Sequence, residues 1–317
     1  MNPLNFPPDA PTRARGSLLG LAIGDALGTT LEFKRPGTFA PLTDLVGGGP
    51  FGLEAGQWTD DTSMALCLGE SLLERGGFDA RDQMERYCRW WSAGYMSATG
   101  TCFDIGVTVR GALGRFLANG DPLAGDTDPH TAGNGSLMRL APVPLFFAKA
   151  GTHEAVAQAG ESSRTTHGAA AAVDACRYMA ALIVGALVGE SKERLLAPRY
   201  VPELWAKEPL DPAVDAVAAG SFRTKPDAAI KGSGYVVESL EAALWAFAKT
   251  GSFEEGALLA VNLGDDADTT GAVYGQLAGA FYGEAGIPTR WLERLYWREQ
   301  IAAMADGLWA GGTPTGR

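Results

Sequence analysis

The stretch NLGDDADTTGAVYGQLAGAFYG, residues 262–283, carries two patterns at once. Gly271, Gly275, Gly279 and Gly283 recur every fourth residue, which lines one face of a helix with glycine. RGSLLGLAIGDALGTTLE, residues 15–32, repeats the pattern with Gly16, Gly20, Gly24 and Gly28. Each interior glycine costs a helix about 1 kcal/mol relative to alanine, so eight of them demand a compensating contact. A glycine face lets another backbone approach closely. The spacing predicts two central, tightly packed helices, with packing against each other one open arrangement.

Working outward, helical periodicity runs through 60–75, 81–96, 103–118, 137–150, 153–162 and 168–189, then 235–250, 252–261 and 288–307. Five prolines between 198 and 226 break the intervening region into short helices and loops. Residues 34–57, rich in Gly and Pro, form a loop long enough to imply a function. No alternating strand pattern is found. The expected fold is one all-α domain over 14–307, with a flexible lead at 1–13 and a flexible tail at 308–317.

Composition narrows the function. The 317 residues are 46% hydrophobic, ample for a large core, and the formal net charge is −11. That charge argues against binding a nucleic-acid backbone. Four scattered cysteines without a CxxC pair read as reduced thiols in a cytoplasmic protein. The apolar run 180–189 is too short to span a bilayer and reads as a buried helix. A monomer is expected. With three histidines, a Cys/His zinc site is disfavoured, and the plentiful ligands are hard oxygens suited to Mg²⁺, Mn²⁺ or Ca²⁺.

The other pattern in the opening stretch is its acid cluster, Asp265, Asp266, Asp268 and Thr269, directly before the glycine helix. Thr59, Asp60, Asp61 and Thr62 stand in the same way before another apolar helix. Helix capping is the plain reading of either cluster alone. A cap needs one side chain, however, and crowded like charges repel unless a cation intervenes. Consecutive helical residues fan out by 100°, so such a cluster converges on one point only at a helix tip. Two tips face to face would offer carboxylates and hydroxyls to two divalent ions. The DDxxD pattern of prenyl-diphosphate enzymes places its third aspartate at i+4; here it stands at i+3 and at a helix start.

GLAIGDALGTTLEF (20–33), GQWTDDTSMAL (56–66), CFDIG (102–106), GNGSLMRLAPV (133–143), TTHG (165–168), GSGYVVESLEAALWAF (232–247) and GDDADTTGAVYGQLAGA (264–280) follow in order. Through these motifs the chain resembles the ADP-ribosylglycohydrolase family over residues 14–305, nearest to bacterial enzymes of the dinitrogenase reductase-activating glycohydrolase type. The resemblance implies a mostly orthogonal all-α domain holding two Mg²⁺ or Mn²⁺ ions, with Thr59, Asp60, Asp61, Asp266, Asp268 and Thr269 as ligands. It implies catalytic roles for Asp104 and Glu32, whose division of labour stays open. Asp25, in the glycine helix, needs a polar partner in the core. Asp265 stands where many relatives have glycine and is read as a helix cap.

For the substrate, the resemblance implies Asn134, Gly135, Ser136, Met138, His167, Gly234 and Tyr235. The Gly133–Ser136 turn would offer backbone N–H groups to a diphosphate. Tyr235 would stack on adenine. Arg139 is either an ion-pair partner or a phosphate ligand. The implied reaction releases ADP-ribose from a modified protein side chain, with arginine favoured by Asp104. Serine, O-acetyl-ADP-ribose or modified nucleic acid are alternative substrates, and a binding or structural relative is the non-enzymatic alternative.

Overall fold

Helix α1 (Ala10–Gly28) stands at the centre of the molecule, its residues from Gly16 to Gly28 all buried. It packs most extensively against another nearly all-buried helix near the far end of the chain, Ala267–Tyr282. A computed structural model describes residues 4–311. The two helices run antiparallel with glycines in register: Gly16 meets Gly279, Gly20 meets Gly275, and Gly24 meets Gly271. At each of these positions an added Cβ would overlap the opposing backbone carbonyl. The intimate contact explains the glycine spacing, and carbonyl-to-Cα approach of this kind is itself weakly attractive. At the end of the row, Gly28 touches the backbone of Ala267 and Asp268. The glycine row thus stops at the acid cluster.

Around this pair are α2 (Asp60–Arg75), α3 (Ala80–Ala93), α4 (Val107–Asn119), α5 (Pro142–Phe147), α6 (Thr152–Arg164) and α7 (Ala170–Val188). Four short helices follow, α8 (Lys192–Leu195), α9 (Pro202–Trp205), α10 (Pro212–Ala218) and α11 (Ser221–Thr224). Proline opens α9 and α10, where its missing N–H costs nothing. The chain closes with α12 (Val236–Lys249), α13 (Phe253–Val261), the glycine helix α14 (Ala267–Tyr282), α15 (Thr289–Arg294) and α16 (Arg298–Gly311). Among the described residues the β pairing is limited to isolated bridges, Gly48 with Leu53, Asp126 with His167 and Gly133 with Tyr235. The all-α, single-domain expectation is borne out.

Several boundaries differ from the sequence reading. α1 begins at Ala10, and Leu4 and Phe6 already pack on the core, Phe6 meeting Trp309 edge-on with ring centroids 5.0 Å apart. The lead expected at 1–13 is therefore partly structured. α16 carries the fold through Gly311, and the rest of the expected tail lies outside the described residues. The helix expected over 103–118 starts only at Val107, leaving CFDIG as irregular loop. The one expected over 288–307 breaks at Leu295, Tyr296 and Trp297, Trp297 having φ +57°. α7 is long and apolar enough to cross a membrane, yet most of it is buried within the core. The 34–57 loop is clipped down by Asn262, which exchanges two hydrogen bonds with the Leu42 backbone at 2.7 and 3.0 Å.

Candidate active site

The N-termini of α2 and α14 face each other. Thr59 Oγ1 lies 3.2 Å from Asp268 Oδ2, and Thr269 Oγ1 lies 3.3 Å from Asp61 Oδ2. The two acid clusters, remote in sequence, therefore converge as expected. The capping reading does not hold: neither Thr59 nor Asp266, the N-cap residues, bonds a backbone N–H of its own helix through its side chain.

Asp25 of α1 performs that task for α2. Its Oδ1 accepts from the backbone N–H of Thr59 at 2.8 Å and from its hydroxyl at 2.9 Å. Its Oδ2 accepts from the Thr62 N–H and hydroxyl. Burial pushes the Asp25 carboxyl up to about 6, and these four donors pull the other way. Thr62 was not singled out among the site residues. Its position three after Thr59, one helical turn on, was the available signal.

Glu32 and Asp104 stand beside the tips. Ligand-capable oxygens of Glu32, Asp104 and Asp268 all lie within 4.8 Å of one another. Asp104 is neither an N-cap nor a first helical residue; it lies ahead of α4 with φ +60°, a left-handed conformation costing about 1–2 kcal/mol for a non-glycine residue. Such strain at a carboxylate is retained where the surroundings over-determine it. Burial, then the Asp104 charge, pushes Glu32 up to about 10, and burial pushes Asp104 up to about 7. Asp60, Asp61 and Asp268 are raised well above the usual carboxylate range, burial first and neighbouring acids next.

Glu32 Oε2, Asp61 Oδ1 and Asp268 Oδ1 are buried without a hydrogen-bond partner among the described residues. Buried carboxylate oxygens lacking any donor, in a nest of like charges, fit hard divalent cations, and the carboxylate–hydroxyl donor set fits Mg²⁺ or Mn²⁺. Asp266 is tied in by Asn134, whose Nδ2 donates to its Oδ2 at 2.6 Å. Asp265 makes no cap. It is exposed at φ +58°, and its backbone exchanges hydrogen bonds with Phe33 and Lys34.

A cleft of about 440 Å³ opens above the acids. Glu32, Asp60, Asp104, Asp266, Asp268 and Thr269 border it with Asn134, Gly135, Met138, His167 and Gly234. Thr59 and Asp61 lie deeper, both fully buried. The Gly133–Ser136 turn offers less than expected. The Gly133 N–H donates to Thr131 O and the Asn134 N–H to Gly234 O, so within this turn only the Gly135 and Ser136 N–H groups lack an acceptor among the described residues. The Ser136 side chain points inward, accepting from Ser163 at 2.8 Å. Tyr235 is 42% exposed and borders an adjoining cavity of about 490 Å³ with Thr108, Pro129 and His130. Thr108 borders both cavities, and nothing in its sequence context marked it.

Arg139 fits neither role expected of it. It is wholly buried, lies over the Tyr87 ring at 4.6 Å and donates to Thr166 and Thr165 hydroxyls rather than to a carboxylate or the cleft.

A sequence profile of the family described as ADP-ribosylglycohydrolase matches residues 7–316. The chain is 46% identical over 305 residues to ADP-ribosylarginine hydrolase Tri1 of Pseudomonas putida (strain GB-1), covering 95% of this chain and 79% of that protein. It is 34% identical over 319 residues to the ADP-ribosyl-(dinitrogen reductase) glycohydrolase of Rhodospirillum rubrum, covering 96% and 97% respectively. A solved structure described as an ADP-ribosylglycohydrolase-related protein complex superposes with a TM-score of 0.85 at 47% identity, over 96% of this chain and 99% of that one.

Proposed function

The chain belongs to the ADP-ribosylglycohydrolase family, and from that premise we propose that it hydrolyses the N-glycosidic bond between ADP-ribose and arginine side chains of modified proteins. The observation that carries the reading is the pair of facing acidic helix tips, with orphaned carboxylate oxygens, at the floor of the cleft. The resemblance to a relative named for ADP-ribosylarginine hydrolysis supports the linkage. The enzyme acts as a cytoplasmic monomer, and its product is ADP-ribose.

Thr59, Asp60, Asp61, Asp266, Asp268 and Thr269 would hold two divalent cations, Mg²⁺ or Mn²⁺. When bound, these supply positive charge that fixes the vicinal ribose hydroxyls and makes water a better nucleophile. The remaining work falls to the protein. Asp104 pairs with the substrate guanidinium through charge-assisted hydrogen bonds. As the bond from the anomeric carbon to the guanidinium nitrogen breaks, the sugar becomes oxocarbenium-like. Water oxygen joins that carbon, and its proton passes through the Glu32–Asp104 pair to the departing nitrogen. Asn134 orients Asp266, while Gly135, Ser136, Met138, His167 and Gly234 hold the diphosphate and the adjoining sugar. Tyr235, at the outer cavity, stacks on adenine.

The test uses defined peptides carrying ADP-ribosyl-arginine or ADP-ribosyl-serine, assayed with Mg²⁺ or Mn²⁺. Wild type should release ADP-ribose faster from arginine. Asp104→Asn, which keeps shape but loses charge and proton transfer, should cut that rate by about 10²-fold or more. ADP-ribose binding should persist in the mutant. Faster release from serine, or an undiminished Asp104→Asn rate, refutes the assignment.

A further inference from the structure

Arg139 has no carboxylate partner among the described residues, and its positive charge lies behind Thr166 and His167, of which His167 borders the cleft. Its Nη2 donates to Thr166 Oγ1 at 2.7 Å, with weaker approaches to Thr165 Oγ1 at 3.3 Å and Ser162 O at 3.5 Å. Thr166 is fully buried, and the other polar atom at its hydroxyl is His167 Nδ1, 2.8 Å away. A guanidinium can only donate, so the Thr166 oxygen accepts from Arg139 and has one hydrogen left to give. If Nδ1 carried a proton, two donors would converge on that oxygen and the hydroxyl hydrogen would be buried without an acceptor, a costly arrangement. Nδ1 therefore accepts.

Burial, with the Arg139 charge acting in the same direction, lowers His167 to about 3, so the ring is neutral. A neutral imidazole with a bare Nδ1 carries its hydrogen on Nε2. His167 Nε2 makes no hydrogen bond to the described residues. It lies against the glycine turn, where a Cβ on Gly135 would stand 3.1 Å from it. That turn also holds the two N–H groups without acceptors among the described residues, those of Gly135 and Ser136.

We propose that Arg139 and Thr166 are positioning residues that lock His167 in its Nε2–H tautomer, so that this ring, with the Gly135 and Ser136 N–H groups, donates to an anionic phosphate oxygen. Each link polarises the next, which strengthens the final donor. An anion is thereby received without an exposed cation beside the carboxylates. The identity of the anion rests on the function proposed above; the tautomer does not.

The test is ring-nitrogen NMR on ¹⁵N-histidine-labelled full chain with Mg²⁺, His167 being assigned by loss of its signals in His167→Gln. The wild type should show the Nε2–H pattern at neutral pH. Thr166→Val should release the lock, giving a mixture or the Nδ1–H form, and Thr166→Ser should restore it. ADP-ribose, titrated by calorimetry, should bind about 5- to 10-fold more weakly to Thr166→Val and normally to Thr166→Ser, with metal content unchanged. An Nδ1–H or doubly protonated ring in the wild type overturns the proposal, as does an unaltered tautomer in Thr166→Val. Should Thr166→Val fail to fold, the wild-type spectrum decides alone. An Nε2–H ring in a protein that ignores ADP-ribose would leave the lock standing and remove the proposed function.

Discussion

Asp25 Oδ2 accepts from both the backbone N–H and the hydroxyl of Thr62, at 3.0 and 2.6 Å, across 37 positions of sequence. With Oδ1 doing the same for Thr59, a residue of α1 caps α2 from outside. The tip of α2 is thereby held with Thr59 Oγ1 near Asp268 and the Asp61 carboxylate near Thr269, both of α14.

Asp25→Ala leaves three buried donors, the Thr59 and Thr62 N–H groups and the Thr62 hydroxyl, without their acceptor, and removes the nearest acceptor of the Thr59 hydroxyl. A loss of at least about 3 kcal/mol is expected, since charged hydrogen bonds contribute ~1.5–3 kcal/mol each and their losses are not additive. Urea denaturation measures it, and calorimetry should show weaker Mn²⁺ binding. A stable mutant with normal Mn²⁺ affinity would mean that Asp25 does not organise the tip of α2.

The glycine row makes a second prediction. Gly24→Ala would drive a methyl into the Gly271 carbonyl, costing about 1–3 kcal/mol through forced displacement. The displacement should also part Asp25 from Thr59 and reduce metal occupancy. Gly114 in α4 faces open space and provides the control. Gly114→Ala should be stabilising by up to about 1 kcal/mol. Equal behaviour of the two variants would contradict the packing role.

Removal of single acids should separate ligand from bystander. Asp60→Ala or Asp268→Ala should lower metal content and turnover together, because each deletes a hard anionic ligand. Asp265→Gly should retain both and gain about 1 kcal/mol by relieving the left-handed backbone at φ +58°. Metal analysis and turnover on one set of preparations decide the matter; metal loss in Asp265→Gly alone would invert the assignment.

Chelation should expose the strain among the acids. Asp60, Asp61 and Asp268 are raised, Asp104 is raised to about 7 and Glu32 to about 10. The folded metal-free protein thus keeps protons that the unfolded chain releases near pH 4. Stability is then fully present below the unfolded values and declines as pH rises through the folded ones. In chelator, Tm should fall between pH 5 and pH 8. Mn²⁺ should offset the fall, because it binds the deprotonated oxygens. A Tm in chelator that is level or rises over that interval would refute this reading.

The glycine registers and both acidic tips were legible because they are local: one follows from helical period, the other from how side chains diverge at a helix start. Their pairing across the molecule was foreseeable only as an open arrangement. What escaped depends on distant partners. Whether Arg139 meets a phosphate or an aromatic ring is decided by Tyr87, far away in sequence. Which N–H groups of the Gly133–Ser136 turn remain available is decided by Thr131 and Gly234. The break of the helix ahead of Val107 turns on Asp104 adopting a left-handed conformation, which its residue type does not announce.

The facing tips have a consequence for the order in which the chain is made. Thr59 and Asp268 are 209 positions apart, and α1 precedes its glycine partner α14 by a similar interval. At a synthesis rate of about 5–20 residues per second, the first half of the site waits on the order of 10–40 s for the second. Until then the nascent chain exposes a glycine-faced apolar helix and a set of acids with no counterpart. Ribosome-bound fragments ending before residue 266 should therefore neither retain Mn²⁺ nor protect α1 from protease, and both properties should emerge together as α14 clears the exit tunnel.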